Sequence, residues 1–211
     1  VYTNAIFGFM NIYLKQVAEA KPDAIAVAFD LRQPTFRHKA VATYKANRKG
    51  MPEELAMQLP YVKQLLTLLG VQVVTCEGYE ADDILGTLAA ACTAQHASCD
   101  ILTGDRDSLQ LVRENVTVRL ATNKETILFT PERFQEEYGF APLSLIDLKA
   151  LMGDSSDNIA GVAGVGQKTA SKLIQAWGTV ENLYAHLEEA GLTKSVHTKL
   201  VSGQDAARES K

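Results

Sequence analysis

Cys99-Asp100-Ile101-Leu102-Thr103-Gly104-Asp105-Arg106-Asp107 is a short apolar-rich run that stops at a glycine and two acids. Residues 99–103 have the length and composition of a strand, and the glycine ends it. The same pattern stands twice upstream. Residues 24–29 form a nearly all-apolar run closed by Asp30, the reading of a strand buried on both faces. Residues 71–75 form another, followed by a turn at Glu77-Gly78 and then by Glu80, Asp82 and Asp83. Helical patterns precede these runs at 3–20 and separate them at 53–69 and 80–95, with Thr3 or Asn4 capping the first and Pro60 expected to kink or split the second. Strand, helix, strand, helix, strand predicts an α/β fold with a mainly parallel central sheet and helices on both faces.

Further along, residues 116–120 and 126–129 flank a turn-rich Thr122-Asn123-Lys124 and predict a hairpin or two edge strands. Thr130-Pro131 opens a helix, with a capping threonine and proline at the first helical position. Beyond about residue 140 only helical patterns and glycine turns remain. The sequence therefore divides into an α/β domain at 1–140 and a helical region at 141–211.

The 211 residues (23.0 kDa) are 46% hydrophobic and 22% charged, with a mean hydropathy of −0.05, which excludes disordered and collagenous chains. No apolar run reaches the roughly 20 residues of a membrane helix, so no membrane partner is expected. The opening residues carry no basic n-region or cleavage site of a secretory signal. Cys76, Cys92 and Cys99 form no CxxC pair and fit reduced thiols in a cytoplasmic protein. A start at Val1 and an end at Glu209-Ser210-Lys211 read as cuts from a longer polypeptide.

In an open parallel sheet, ligands bind beyond the carboxyl ends of the strands. Asp30, the group Glu80, Asp82 and Asp83, and the pair Asp105 and Asp107 all follow strand ends, and Asp154 and Asp157 lie in the turn Gly153-Asp154-Ser155-Ser156-Asp157-Asn158. Eight carboxylates converging on one rim would raise one another's pKa values unless cations neutralise them. Mg²⁺ or Mn²⁺ suits that donor set, and two such ions about 3.5–4 Å apart could hold a phosphate and activate water. Taken singly, Glu80, Asp82 and Asp83 also read as helix-opening acids, Asp105 and Asp107 as turn residues, and Asp154 and Asp157 as helix caps.

From Leu31 to Pro52 there is no acid, yet Arg32, Arg37, Lys39, Lys45, Arg48 and Lys49 are present, with Phe36 and Tyr44 interleaved as rings that could stack on bases. The net charge is −4; setting aside the eight candidate ligands, each −1, leaves the rest at +4, so acidity does not exclude DNA. Gly161-Val162-Ala163-Gly164-Val165-Gly166-Gln167-Lys168-Thr169-Ala170 is a glycine turn leading into a helix, where backbone N–H groups can hold a phosphate, while Leu173, Ile174 and Trp177 read as core.

Tyr79-Glu80-Ala81-Asp82-Asp83, Thr103-Gly104-Asp105-Arg106-Asp107, Leu151-Met152-Gly153-Asp154-Ser155-Ser156-Asp157-Asn158 and Gly164-Val165-Gly166-Gln167-Lys168-Thr169-Ala170 occur in that order. Together they resemble the 5′→3′ exonuclease domain of bacterial DNA polymerase I, in the flap endonuclease superfamily. The resemblance implies a PIN-like domain with a helical arch over about 31–52, a C-terminal helix-hairpin-helix region, and a monomeric, metal-dependent 5′ nuclease. Its implied substrates are DNA with a 5′ flap or 5′ end and RNA primer–DNA junctions, met in replication and repair. By the same resemblance Asp30, Glu80, Asp82 and Asp105 surround a first metal position. Asp107, Asp154 and Asp157 serve a second, with Asp83 nearby. Lys45 and Arg48 are the implied catalytic cations at the scissile phosphate. Arg37, Tyr44, Lys45, Arg48, Gly164, Val165, Gly166, Lys168 and Thr169 are the implied DNA contacts, with K⁺ expected on carbonyls of the glycine turn. Relatives begin with a strand ending in Asp-Gly, whose aspartate is a metal ligand, and this chain starts after it. A weak or inactive fragment of a nuclease parent is therefore expected, and the sequence does not say whether that parent carries a polymerase domain. Two other classes fit fewer features: a catalytically silent DNA-binding module and a PIN-like ribonuclease.

Overall fold

Residues 2–211 are described in the computed structural model, where the expected α/β class is present and the strands fall into two sheets. One unit comprises the described residues up to Lys39 together with Arg48–Leu85; the other comprises Ala40–Asn47 and Gly86–Lys211.

The first unit contains α1 (Asn4–Ala20), β1 (Ala26–Ala28), α2 (Phe36–Ala40), α3 (Glu53–Leu68), β2 (Gln72–Val74) and the start of α4 (Ala81–Ala94). β1 and β2 pair in parallel, with Ala26 opposite Gln72 and Ala28 opposite Val74. Val62, Leu66 and Val71 are buried, and Ile6, Phe9 and Tyr13 of α1 pack on them with Ile25, Val27, Phe29 and Val73. Each fully buried side chain of this kind contributes about 1.5–3 kcal/mol. Pro60 lies inside a single helix, so the expected split of α3 does not occur. The cap of α1 also differs from expectation, because Thr3 makes no side-chain capping bond. Gln58 of α3, 2% exposed, does so instead: its Oε1 accepts from Ala5 N–H (2.8 Å) and Ile6 N–H (3.3 Å). A tertiary contact thus satisfies orphan donors that local sequence leaves open.

In the second unit β3 (Cys99–Thr103) pairs in parallel with β4 (Val116–Ala121), which pairs antiparallel with β5 (Thr126–Phe129). Val116, Val118 and Leu120 alternate inward along β4, as a half-buried strand requires. α5 (Pro131–Tyr138) opens as expected, with Thr130 Oγ1 accepting from Arg133 N–H. Its Phe134 is fully buried and stacks on Tyr138 at 4.3 Å between ring centroids. The remainder is helical: α6 (Leu145–Met152), α7 (Gln167–Trp177), α8 (Val180–Ala185), α9 (Lys194–Ser202) and α10 (Gln204–Ser210). Leu151, Ile174, Leu183 and Leu200 form its fully buried interior. Asp147 of α6 is buried, accepts from Val180 N–H at 2.9 Å and pairs with Lys211 Nζ at 2.6 Å.

Candidate active site

In the first unit the acids gather where β1 and β2 run out into loops and α4 begins. Asp30 follows β1, and its Oδ1 accepts from Ala81 N–H at 2.6 Å, at the positive end of α4. Asp83, one turn further on, accepts from Glu80 N–H at 2.9 Å. Arg37 of α2 forks onto both Asp83 oxygens at 2.8 Å each and lies 3.8 Å from Glu80. Asp82 sits on the first turn of α4 and is exposed. The structure therefore brings Asp30, Glu80 and Asp83 around one helix start, with Arg37 as their counter-charge.

In the second unit Asp105 ends β3 and caps the 3-10 turn Arg106–Leu111, accepting from Asp107 N–H at 2.9 Å. Asp107 points to Lys149 of α6, whose Nζ is 2.7 Å from it. The same ammonium donates to Asp154. Asp154 is set by a tight hairpin in which it exchanges both backbone hydrogen bonds with Ile159 at 2.8 Å. Gly153 (φ +74°) and Gly161 (φ +62°) make that hairpin possible: a Cβ on Gly161 would lie 2.2 Å from Gly153 N, and one on Gly153 would lie 2.5 Å from the Ala160 carbonyl oxygen.

The electrostatics follow from this pairing. Burial acts to raise the Asp154 carboxyl, but hydrogen bonds from Lys149 and Ser156 outweigh it and hold the group down at about 2. At Asp107 burial wins over Lys149, and the neighbouring Asp105 and Asp154 add to it, so that carboxyl is raised. Lys149 is itself raised: burial opposes its charge, and hydrogen bonds to Asp107 and Asp154 outweigh the burial. One ammonium thus holds together two acids that would otherwise repel.

The segment 40–47 is seated on the same hairpin. Lys45 N–H donates to the Asp157 carbonyl at 2.9 Å, Asn158 Nδ2 donates to the Thr43 carbonyl at 2.7 Å, and Asn47 Nδ2 donates to that of Ser155 at 2.8 Å. Lys45 Nζ is 3.8 Å from the Asp157 carboxylate, and Tyr44 Oη donates to it at 3.3 Å. Tyr44 is only 9% exposed, with the Lys45 ammonium 4.9 Å from its ring centre. In this structure the Tyr44 ring is packed and its hydroxyl is bonded to Asp157. Arg48, assigned to the first unit, is exposed.

The glycine turn holds two surprises. Val165 has its side chain in the core (3% exposed) and its N–H bonded to the Val162 carbonyl at 3.0 Å, so neither faces a ligand. The Gly164 carbonyl, where K⁺ was expected, accepts from Lys199 Nζ at 3.1 Å. Gly166, Gln167 and Lys168 are exposed at the start of α7, with Thr169 half-buried behind them.

Among the described residues no three His, Cys, Asp or Glu side chains are grouped as a metal site. The donors nonetheless fit a hard divalent cation, since Asp107 and Asp154 already direct oxygens at one positive centre, the Lys149 ammonium. Lys149, Asn47 and Asn158 were not singled out by the sequence reading. Only the helical placement of Lys149, five residues before Asp154, gives a signal for the first.

Residues 1–139 match the model of the 5′-3′ exonuclease N-terminal resolvase-like domain, and residues 140–211 match that of the 5′-3′ exonuclease C-terminal SAM fold. The chain belongs to the 5′-3′ exonuclease family. It is 43% identical over 209 residues to DNA polymerase I of Caldicellulosiruptor bescii, covering 97% of this chain and 24% of that protein. DNA polymerase I of Bacillus subtilis is 41% identical over 213 residues, with 100% and 24% covered. The chain thus spans about a quarter of the length of these relatives. A structure of T5 5′-exonuclease with bound zinc shares the fold at a TM-score of 0.80 and 21% identity, covering 100% of this chain and 80% of the other. The catalytic core of Rad2 in complex with DNA shares it at 0.61 and 19%, covering 96% and 64%.

Proposed function

We propose that this chain is the 5′-nuclease portion of a longer cytoplasmic protein and hydrolyses DNA phosphodiesters at 5′ ends and flaps. The observation that carries the reading is the convergence of Asp107 and Asp154 on a single cationic centre beside the Lys45–Asp157 contact. A pure DNA-binding surface gains nothing from negative charge held next to phosphate.

The donors that would hold Mg²⁺ or Mn²⁺ are Asp105, Asp107, Asp154 and Asp157 in the second unit and Asp30, Glu80, Asp82 and Asp83 in the first. When bound, such ions neutralise charge on a phosphate and lower the pKa of water. Lys45, fixed by Asp157, presents an ammonium that stabilises negative charge growing on the phosphate oxygens. Arg48 supplies a second cation, exposed and able to guide the strand. Gly166 and Lys168 at the start of α7 take a backbone phosphate of the duplex, through peptide N–H groups and a side-chain charge.

Mg²⁺-dependent cleavage of a labelled 5′-flap duplex tests the reading. The assay is run on this chain and on a form carrying the expected Asp-Gly strand ahead of Val1. Flap cleavage well above cleavage of single-stranded RNA is expected from the extended form. Preference for the RNA favours a ribonuclease, and binding without cutting by either form favours a silent module. Asp107→Asn should lower turnover at least about 100-fold while leaving flap affinity within about threefold, as expected for a group acting in the transition state. Equal losses of both would remove Asp107 from the chemistry.

A further inference from the structure

Two aromatic rings stand beside the acids of the first unit without being core. Phe36, the first residue of α2, is 46% exposed, and Tyr79, just before α4, is 51% exposed. Their ring centres are 5.5 Å apart and their planes are tilted by 53°. Neither ring is loose. Phe36 N–H donates to the Gly78 carbonyl at 3.0 Å, tying the two segments together one residue from Tyr79. Gly78 turns there with φ +81°. The Arg37 guanidinium lies 4.5 Å from the Phe36 ring centre while both its arms grip Asp83. Next to Phe36, buried Thr35 bonds His38 Nδ1 through its hydroxyl at 2.8 Å.

A fixed, half-exposed pair of aromatic rings has a defined use. Flat apolar surface held open to water, with a guanidinium alongside, matches the face of a nucleobase, for which stacking is worth about 1–3 kcal/mol per base. The charge of the same unit favours the same ligand: Arg32, Arg37, Lys39, Arg48 and Lys49 belong to the sequence stretch that carries Phe36, and residues 31–52 hold no acid, so a polyanion is drawn to it. A packed duplex offers no base face, whereas an unpaired nucleotide does.

We infer that Phe36 and Tyr79 form a stacking platform for an unpaired base of the substrate strand. Tyr44, the other ring of the basic stretch, is packed away and is not part of it. The inference rests on the nuclease reading above and adds to it a demand for a base, as well as a phosphate, of the substrate strand. The platform tolerates any base, since every base has a π-face.

The test measures affinity by fluorescence anisotropy without divalent metal, so that cleavage does not intrude. A 5′-flap duplex is compared with a series in which each nucleotide around the junction is replaced, one at a time, by an abasic tetrahydrofuran. For the unmodified chain, one or two adjacent unpaired positions should cost about 5- to 150-fold, the equivalent of one stacked base. Tyr79→Leu and Phe36→Leu should lose a similar factor on the intact flap and show no further loss at those positions, and Phe36→Trp should keep the discrimination. A flat abasic profile for the unmodified chain overturns the platform while leaving DNA binding intact. Variants that weaken intact and abasic flaps by the same factor overturn it too, and assign the rings a structural role. Failure of the unmodified chain to bind any flap overturns the nuclease reading itself. Tyr79 is the cleaner probe because it lies outside the helices, and circular dichroism confirms the fold of each variant.

Discussion

Lys149 donates to Asp107 and Asp154 at once, so its removal leaves two carboxylates facing each other with no charge between them. Lys149→Met should therefore lift the Asp154 carboxyl above its native value of about 2, with the Ser156 hydrogen bonds still acting to hold it down, and carbon-detected NMR titration measures the rise. The sign of the stability effect follows. Because the native value lies below the unfolded one, the Asp154 contribution is complete above about pH 4 and disappears as pH falls towards 2. The variant should be less stable by about 1–3 kcal/mol at pH 7, between the costs of breaking an exposed and a buried pair. In urea denaturation that deficit should shrink at pH 2.5. Cys99 behaves in the opposite sense: burial and the adjacent Cys92 push its thiol up to about 11, so it stays protonated and unreactive near neutral pH.

Among the elements, the hairpin 153–161 and the turn 161–166 are both glycine-rich but use their glycines for different ends. Gly161→Ala should cost more than about 2 kcal/mol, since the new methyl meets the Gly153 backbone and the φ of +62° is itself unfavourable. Gly166→Ala should cost less than about 1 kcal/mol, as nothing lies within 4 Å and its φ is −92°. Thermal denaturation separates the two, and leaves Gly166→Ala as a folded variant in which lost DNA affinity reads directly on phosphate binding. The sequence already carried most of this layout. Periodicity located β3, β5 and α5, and the acids at the strand ends were visible because each follows an apolar run. What it could not carry were contacts between distant segments. The capping of α1 by Gln58 spans 53 positions and the Tyr44–Asp157 bond spans 113, and no local pattern encodes either. Pro60 does not split α3, because packing of Val62 and Leu66 outweighs the cost of one lost helical bond.

Over the whole molecule, a net charge of −4 coexists with a surface expected to bind a polyanion, and salt dependence resolves the conflict. The logarithm of flap affinity should fall linearly with the logarithm of salt concentration. Arg48→Ala and Lys168→Ala should each lessen the slope by about 0.9 if each touches one phosphate. A slope unchanged by both substitutions would place the phosphate contacts elsewhere. The tie between residues 40–47 and the 154–158 hairpin has its own consequence. Lys45 holds a left-handed backbone (φ +54°), and its amide is bonded to the Asp157 carbonyl, while Val41, Ala42 and Thr43 are exposed around it. In deuterated water that amide should keep its proton after those of Val41, Ala42 and Thr43 have been replaced. Its exchange rate then counts the openings of the segment, and a bound 5′ strand that needs the segment lifted would announce itself by erasing that memory.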